Sequence, residues 1–129
     1  MLENREIMMR MFPAPFRENR IEPVDQYPAL LRRTLASVAP QKCDRDPVVV
    51  ILTPGHFNAA YYEHSFLADL MGIELVESQD LFVQGEYVYM RTTEGPKRVD
   101  VIQSGLRSIA FRLQAIQDKQ AIGNIACCV

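Results

Sequence analysis

The stretch "VVVIL", residues 48–52, constrains this chain more than any other feature. Its composition is that of a strand, and it carries no polar residue on either alternating face. An apolar run of this length suits a strand covered on both sides, as in parallel α/β sheets. The turn residues Thr53, Pro54 and Gly55 follow at once, and then a helical pattern through "AAYYEHSFLADLMG". Tyr62, Phe66, Leu67, Leu70 and Met71 give that helix an apolar stripe, and Gly72 falls where a left-handed C-terminal cap belongs. "IELVES" reads as a second short strand. Strand, helix and strand together make a βαβ unit, which should cross over right-handed.

The flanking segments complete an α/β reading. "ENREIMMRMF" predicts a short helix with Ile7, Met8, Met11 and Phe12 on one stripe, the methionines acting as core filler. Pro13 and Pro15 stop it. "ALLRRTLASVA" predicts another helix, with Asp25 as a cap and Pro28 in the first turn. Leu30, Leu31, Leu35 and Val38 form its apolar face, and Arg32 and Arg33 face water. "DLFVQGEYVYMRTT" predicts a hairpin about Gln84-Gly85, and "RVDVI" one further strand. Residues 106–122 return to a helical pattern. The expected organisation is N-terminal helices and connector over 1–46, a βαβ-plus-hairpin unit over 47–102, and a divergent helical tail over 103–129.

Composition narrows the function classes. A formal net charge of -2 gives no field to draw in nucleic acid or an anionic membrane. No apolar run reaches the roughly 18 residues of a membrane span. Neither a secretory signal nor a disulfide framework is visible in the sequence. Cys43, Cys127 and Cys128 are odd in number, with two adjacent, which favours the reducing cytoplasm.

The polar groups after "VVVIL" are the candidate site. Ligands of open α/β sheets bind beyond the carboxyl ends of the strands. Gly55 would permit close backbone approach there, and Asn58, Tyr61, Glu63 and His64 fall within the following turns. The plainer alternative is that Asn58 is an N-cap and that Glu63 and His64 are a solvated pair. Arg91 and Asp100 lie on strand-like segments, where they line a cleft or simply face water on an edge. "TPG" is neither a Walker loop nor GxGxxG, so no motif supports phosphate cradling. His56 and His64 lack a third ligand for a metal, and no nucleophile–base pair suggests covalent catalysis.

Four long motifs carry a resemblance: "LENREIMMRMFP", "QYPALLRRTLASVAP", "VVVILTPGHFNAAYYEHSFLADLMGIELVES" and "VYMRTTEGPKRVDVI". In this order and spacing they resemble the circularly permuted ATP-grasp proteins of bacteria, relatives of the carboxylate–amine ligases and of glutathionylspermidine synthetase. The similarity runs from residue 2 to about 102. It implies a Rossmann-like subdomain of a permuted ATP-grasp fold, contributing the acceptor-substrate side of the cleft. The full-length family is expected to use ATP and magnesium and to act on a small carboxylate or peptide-like substrate. Asn58, Tyr61, Glu63, His64, Arg91 and Asp100 become candidate substrate-binding residues by this carry-over, with catalytic residues unassigned. Ala59 stands where the family more often has Ser.

The family's acidic-Asn segment and its "RTPSG"-like loop, which hold metal and phosphate, would precede Met1. Its Tyr-Arg-Arg, Gly-rich and "DDK" segments would follow "VDVI". The expectation is therefore a fragment that is inactive alone and binds no ATP or magnesium by itself. Association through uncovered sheet surface is expected. A binding module without catalysis, for a small ligand or a protein, is the alternative, and a gene remnant with no selected role is the plainest possibility.

Overall fold

The computed structural model describes residues 2–40, 45–104 and 126–128. Three helices come first: α1 (Leu2–Met11), α2 (Pro13–Glu18) and α3 (Tyr27–Ser37). The strand β1 (Val49–Leu52), the helix α4 (Tyr61–Met71) and the strand β2 (Glu74–Val76) then form the βαβ unit. A 3-10 turn (Ser78–Asp80) leads into β3 (Leu81–Gln84), β4 (Tyr87–Thr92) and β5 (Gly95–Val99), followed by β6 (Val101–Ser104) and β7 (Ala126–Cys128). The predicted helix over 106–122 lies outside the described residues. No helix among the described residues is long and apolar enough to cross a membrane.

Two sheets result. A parallel sheet has the order β2-β1-β6-β7, and an antiparallel one the order β3-β4-β5. All four residues of β1 are buried, as its apolar composition requires. Their side chains alternate between two cores. Val49 and Ile51 join Leu35 of α3 and Ala68 and Met71 of α4, together with Val101. Val50 and Leu52 join Val88, Met90 and Val99 of the antiparallel sheet, together with Ile102. The parallel sheet is therefore covered by helices on one face and by the second sheet on the other.

Local signals act as the sequence suggests at two turns. Gly72 closes α4 at φ 61°, donating its N–H back to carbonyls of the last helical turn. Gly85, at φ 63°, is the first of two residues linking Gln84 to its partner Tyr87. A positive φ at that position alone is the mark of a type II′ hairpin turn.

Other expectations are corrected. "RVDVI" is not one strand. The chain leaves the antiparallel sheet at Val99 and enters the parallel sheet at Val101, with Asp100 as the single residue between them. The apolar stripes of the helices are only partly used. α1 has no buried residue, and Ile7, Met8, Met9 and Met11 are each more than half exposed, so "MMRM" fills no core here. On α3, Leu35 is buried and Leu31 packs beside it, whereas Leu30 and Val38 face solvent. Tyr62 and Leu70 of α4 are also exposed. Arg32 does not simply face water, since its Nη1 donates to the Met71 carbonyl at 3.1 Å and ties α3 to the end of α4. Gln26 rather than Asp25 occupies the N-cap position of α3, with no side-chain cap bond.

Candidate functional site

Register fixes which residues share an end of the parallel sheet. Leu52 lies beside Val76 on one side and Ser104 on the other. Thr53, Glu77 and Ser104 therefore mark the carboxyl ends of three neighbouring strands. Thr53 and Ser104 are buried. The Thr53 N–H donates to the Val76 carbonyl at 2.9 Å, which prolongs the β1–β2 pairing by one residue.

The loop after β1 folds back over this end. Gly55 adopts φ 103°, a backbone conformation that a side chain rarely allows, and donates its N–H to Thr53 Oγ1 at 3.4 Å. A methyl group at Gly55 would lie 3.1 Å from Glu77 Oε1. The missing side chain is what lets the Glu77 carboxylate lie against the loop. Glu77 is held from the other side by a capping box. Its carboxylate accepts the Asp80 N–H, while its own N–H donates to Asp80 Oδ2 at 2.8 Å.

His64 reaches the same place from the first turn of α4. Its Nδ1 exchanges a hydrogen bond with Thr53 Oγ1 at 3.3 Å. Partial burial lowers its pKa below 6.5, because the charged imidazolium loses hydration there. Thr53, Gly55, Glu77 and His64 thus converge at one point. The rim is open and aromatic: Phe57 is 91% exposed, and His56 packs against it with ring centroids 3.9 Å apart.

Of the residues singled out from the sequence, Asn58, Tyr61, Glu63 and His64 all lie on this loop and helix. Only His64 reaches the Thr53 hydroxyl. Asn58 is not the N-cap that the sequence suggested, which is Ala60 two positions on; it shapes the loop instead, its Oδ1 accepting the Ala60 N–H at 2.7 Å. Tyr61 is half-buried, edge-on to Tyr62 at 5.8 Å. Glu63 Oε1 accepts the Leu2 N–H at 2.9 Å and anchors the start of α1, where a carboxylate suits the helix dipole.

Arg91 and Asp100 lie on or beside the antiparallel sheet and not on this loop and helix. Arg91 is exposed on β4, with its guanidinium 5.0 Å from the Phe82 ring centroid. Asp100 sits at the amino end of the parallel sheet, opposite to Thr53, and is completely buried. Its Oδ2 accepts the Val48 N–H at 3.0 Å and pairs with Arg45 at 3.2 Å. Its Oδ1 lies 2.9 Å from Arg98 Nε, off-line for a hydrogen bond. Arg98 in turn lies over the Tyr87 ring at 3.9 Å. This cluster holds the crossing between the two sheets.

The sequence reading did not single out Thr53 and Glu77 as site residues. The signal was available: once a βαβ unit is recognised, the last residue of each parallel strand marks the same rim.

The pattern of the family described as circularly permuted ATP-grasp type 2 matches residues 1–125, so this chain belongs to that family. The match continues past residue 102, where the motif resemblance fades. An uncharacterized protein of Mycobacterium tuberculosis is 52% identical over 130 residues, covering 97% of this chain and 23% of that protein. One from Synechocystis is 54% identical over 101 residues, covering 78% of this chain and 21% of its own length. A protein of Frankia casuarinae named as a putative glutamate–cysteine ligase is 39% identical over 102 residues, 78% of this chain and 12% of that protein. The chain thus spans less than a quarter of the length of these relatives.

ATP-grasp proteins generally use ATP and magnesium. The described residues contain no group of three or more His, Cys, Asp or Glu that could hold a metal ion by themselves. At the loop, a phosphate would meet the Glu77 carboxylate, and the Gly55 N–H is already turned to Thr53.

Proposed function

We propose that this chain forms the acceptor-substrate side of the cleft in an ATP-grasp protein of the carboxylate–amine ligase type. In this reading its βαβ unit is a Rossmann-like subdomain, and ATP and magnesium are held by other parts of the family polypeptide. The observation that carries it is the convergence of Thr53, Gly55, Glu77 and His64 at the carboxyl ends of the parallel strands. A carboxylate and a neutral imidazole at this rim suit a ligand that brings hydrogen-bond donors, such as an amine, better than one that brings phosphate. Asn58 and Tyr61 shape the wall of this cleft in the proposal, and Glu63 holds it to α1. Asp100 supports the fold, and Arg91 is exposed on the antiparallel sheet beside Phe82.

The family membership and the ligase name of the Frankia relative support a small carboxylate- or amine-bearing substrate. The test is backbone amide NMR of the purified chain, titrated with L-glutamate, a panel of small amines, and magnesium-ATP. An amine or amino acid should shift the amides of Thr53, Gly55 and His64, and magnesium-ATP should leave them in place. Shifts at these amides from magnesium-ATP alone, or from nothing in the panel, would overturn the assignment. The chain by itself is expected to release no ADP.

A further inference from the structure

We propose that Thr53 is a positioning residue that fixes His64 as the Nε2–H tautomer, so that its imidazole meets a ligand at the rim as a hydrogen-bond donor. The inference rests on the reading of this rim as a ligand site and refines it. Beside the donor that Glu77 accepts, the ligand must carry an acceptor oxygen.

The protons at Thr53 decide the tautomer. Thr53 is 1% exposed, so its hydroxyl is sealed from bulk water. Its Oγ1 accepts the Gly55 N–H at 3.4 Å. Among the described residues its one other hydrogen-bond partner is His64 Nδ1, at 3.3 Å. A hydroxyl has one proton to give and two lone pairs to receive. If Nδ1 carried the imidazole proton, Oγ1 would accept from both nitrogens, and its own proton would have no acceptor among the described residues. Buried donors are rarely left in that state. With Nδ1 unprotonated, every group is satisfied: the Gly55 N–H donates to Oγ1, and the hydroxyl donates to Nδ1. Burial lowers the His64 pKa below 6.5, so the ring is neutral at pH 7. Its single proton then sits on Nε2.

The two ring nitrogens point in diverging directions, so a ring whose Nδ1 faces the buried hydroxyl turns Nε2 away from it. Nε2 makes no hydrogen bond among the described residues, and it is not sealed from solvent. It is an open donor. The Glu77 carboxylate only accepts. It lies against the same loop, where a Cβ on Gly55 would meet its Oε1 at 3.1 Å. The pair selects a ligand with two ends: an ammonium for the carboxylate, and a carbonyl or carboxylate oxygen for the imidazole. A simple amine satisfies half of the site.

The test uses the 15N-labelled chain at pH 7. It contains two histidines, His56 and His64. Long-range 1H–15N correlation spectra report the protonation of each ring nitrogen. His64 should show Nδ1 unprotonated and Nε2 protonated, whereas the exposed His56 should average between tautomers. Thr53→Val keeps the shape of the side chain and removes the hydroxyl. The His64 nitrogens should then move toward the averaged positions of His56, and Thr53→Ser should restore them. A proton on Nδ1 in the unaltered chain, or unchanged His64 nitrogens in Thr53→Val, would overturn the assignment. Should Thr53→Val not fold, the spectrum of the unaltered chain decides.

Amide titrations with ethylamine and glycinamide then test the ligand class. Both bring an ammonium, and glycinamide adds a carbonyl. Glycinamide should bind at least about fivefold more tightly, the worth of one added hydrogen bond. Equal affinities would overturn the two-ended ligand and leave the rim as an amine site. No shift of the Thr53, Gly55 and His64 amides from either compound would overturn the rim as a ligand site, and the inference with it.

Discussion

Replacing Asp100 by Ala should unfold the link between the two sheets, and the structure allows the cost to be worked out. The substitution removes a fully buried carboxylate from two guanidiniums and one backbone N–H. Breaking a buried ion pair by deleting one partner typically costs about 3–5 kcal/mol. The Arg98 side chain is only 20% exposed and would be left charged in a dry place, whereas Arg45, at 48%, can turn to water. The lower part of that range, about 3–4 kcal/mol, is therefore expected. Urea unfolding followed by circular dichroism measures it. With a slope of roughly 1–3 kcal/mol per molar, the midpoint should fall by at least about 1 M. Asp100→Asn keeps an oxygen for the Val48 N–H and should lose about half as much. Arg98→Met combined with Asp100→Asn should cost less than the sum of the two, because neither charge is then stranded. A loss below about 1 kcal/mol for Asp100→Ala, or additivity in the double variant, would refute the reasoning.

Two further outcomes concern the loop and its histidine. Gly55→Ala should cost about 1–3 kcal/mol in urea unfolding, since it forces a side chain into φ 103° and toward Glu77 Oε1. Part of that penalty should disappear in a Glu77→Ala background, which relieves the clash but not the backbone strain. For His64 the folded pKa lies below the unfolded value of 6.5. Both states are neutral above that pH, and stability is then at its full value. As pH falls through 6.5 the unfolded chain takes up the proton first, so stability declines until the folded pKa is passed and then levels off. Melting curves from pH 8 to 4 should show this contribution, and His64→Gln should remove it.

Some of this fold can be read directly from the residues. "VVVIL" announces a strand covered on both faces because every side chain in it prefers burial. Gly72 and Gly85 mark positions where only a positive φ closes the turn. Asp100 could not be read in the same way. Alternation in "RVDVI" is satisfied equally by one strand or by two strands in different sheets, and the decision rests on Arg45, Arg98 and Val48, two of which lie more than 50 positions away. The stripe on α1 was legible as apolar, but periodicity names a face and not what covers it. At the rim, His64 is legible because it sits close in sequence to the strand end. Glu77 is not, because a whole helix separates it from Gly55, the residue whose missing side chain makes room for it.

The crossing at Asp100 has a mechanical consequence. β5 and β6 are joined there without slack, so the hairpin sheet cannot tilt without pulling on the strand next to β1. One margin of the parallel sheet is riveted by charge, and the opposite margin rests on a hydroxyl, an imidazole and a loop. Any adjustment to an incoming molecule falls to the looser margin, while the riveted one keeps the framework in register.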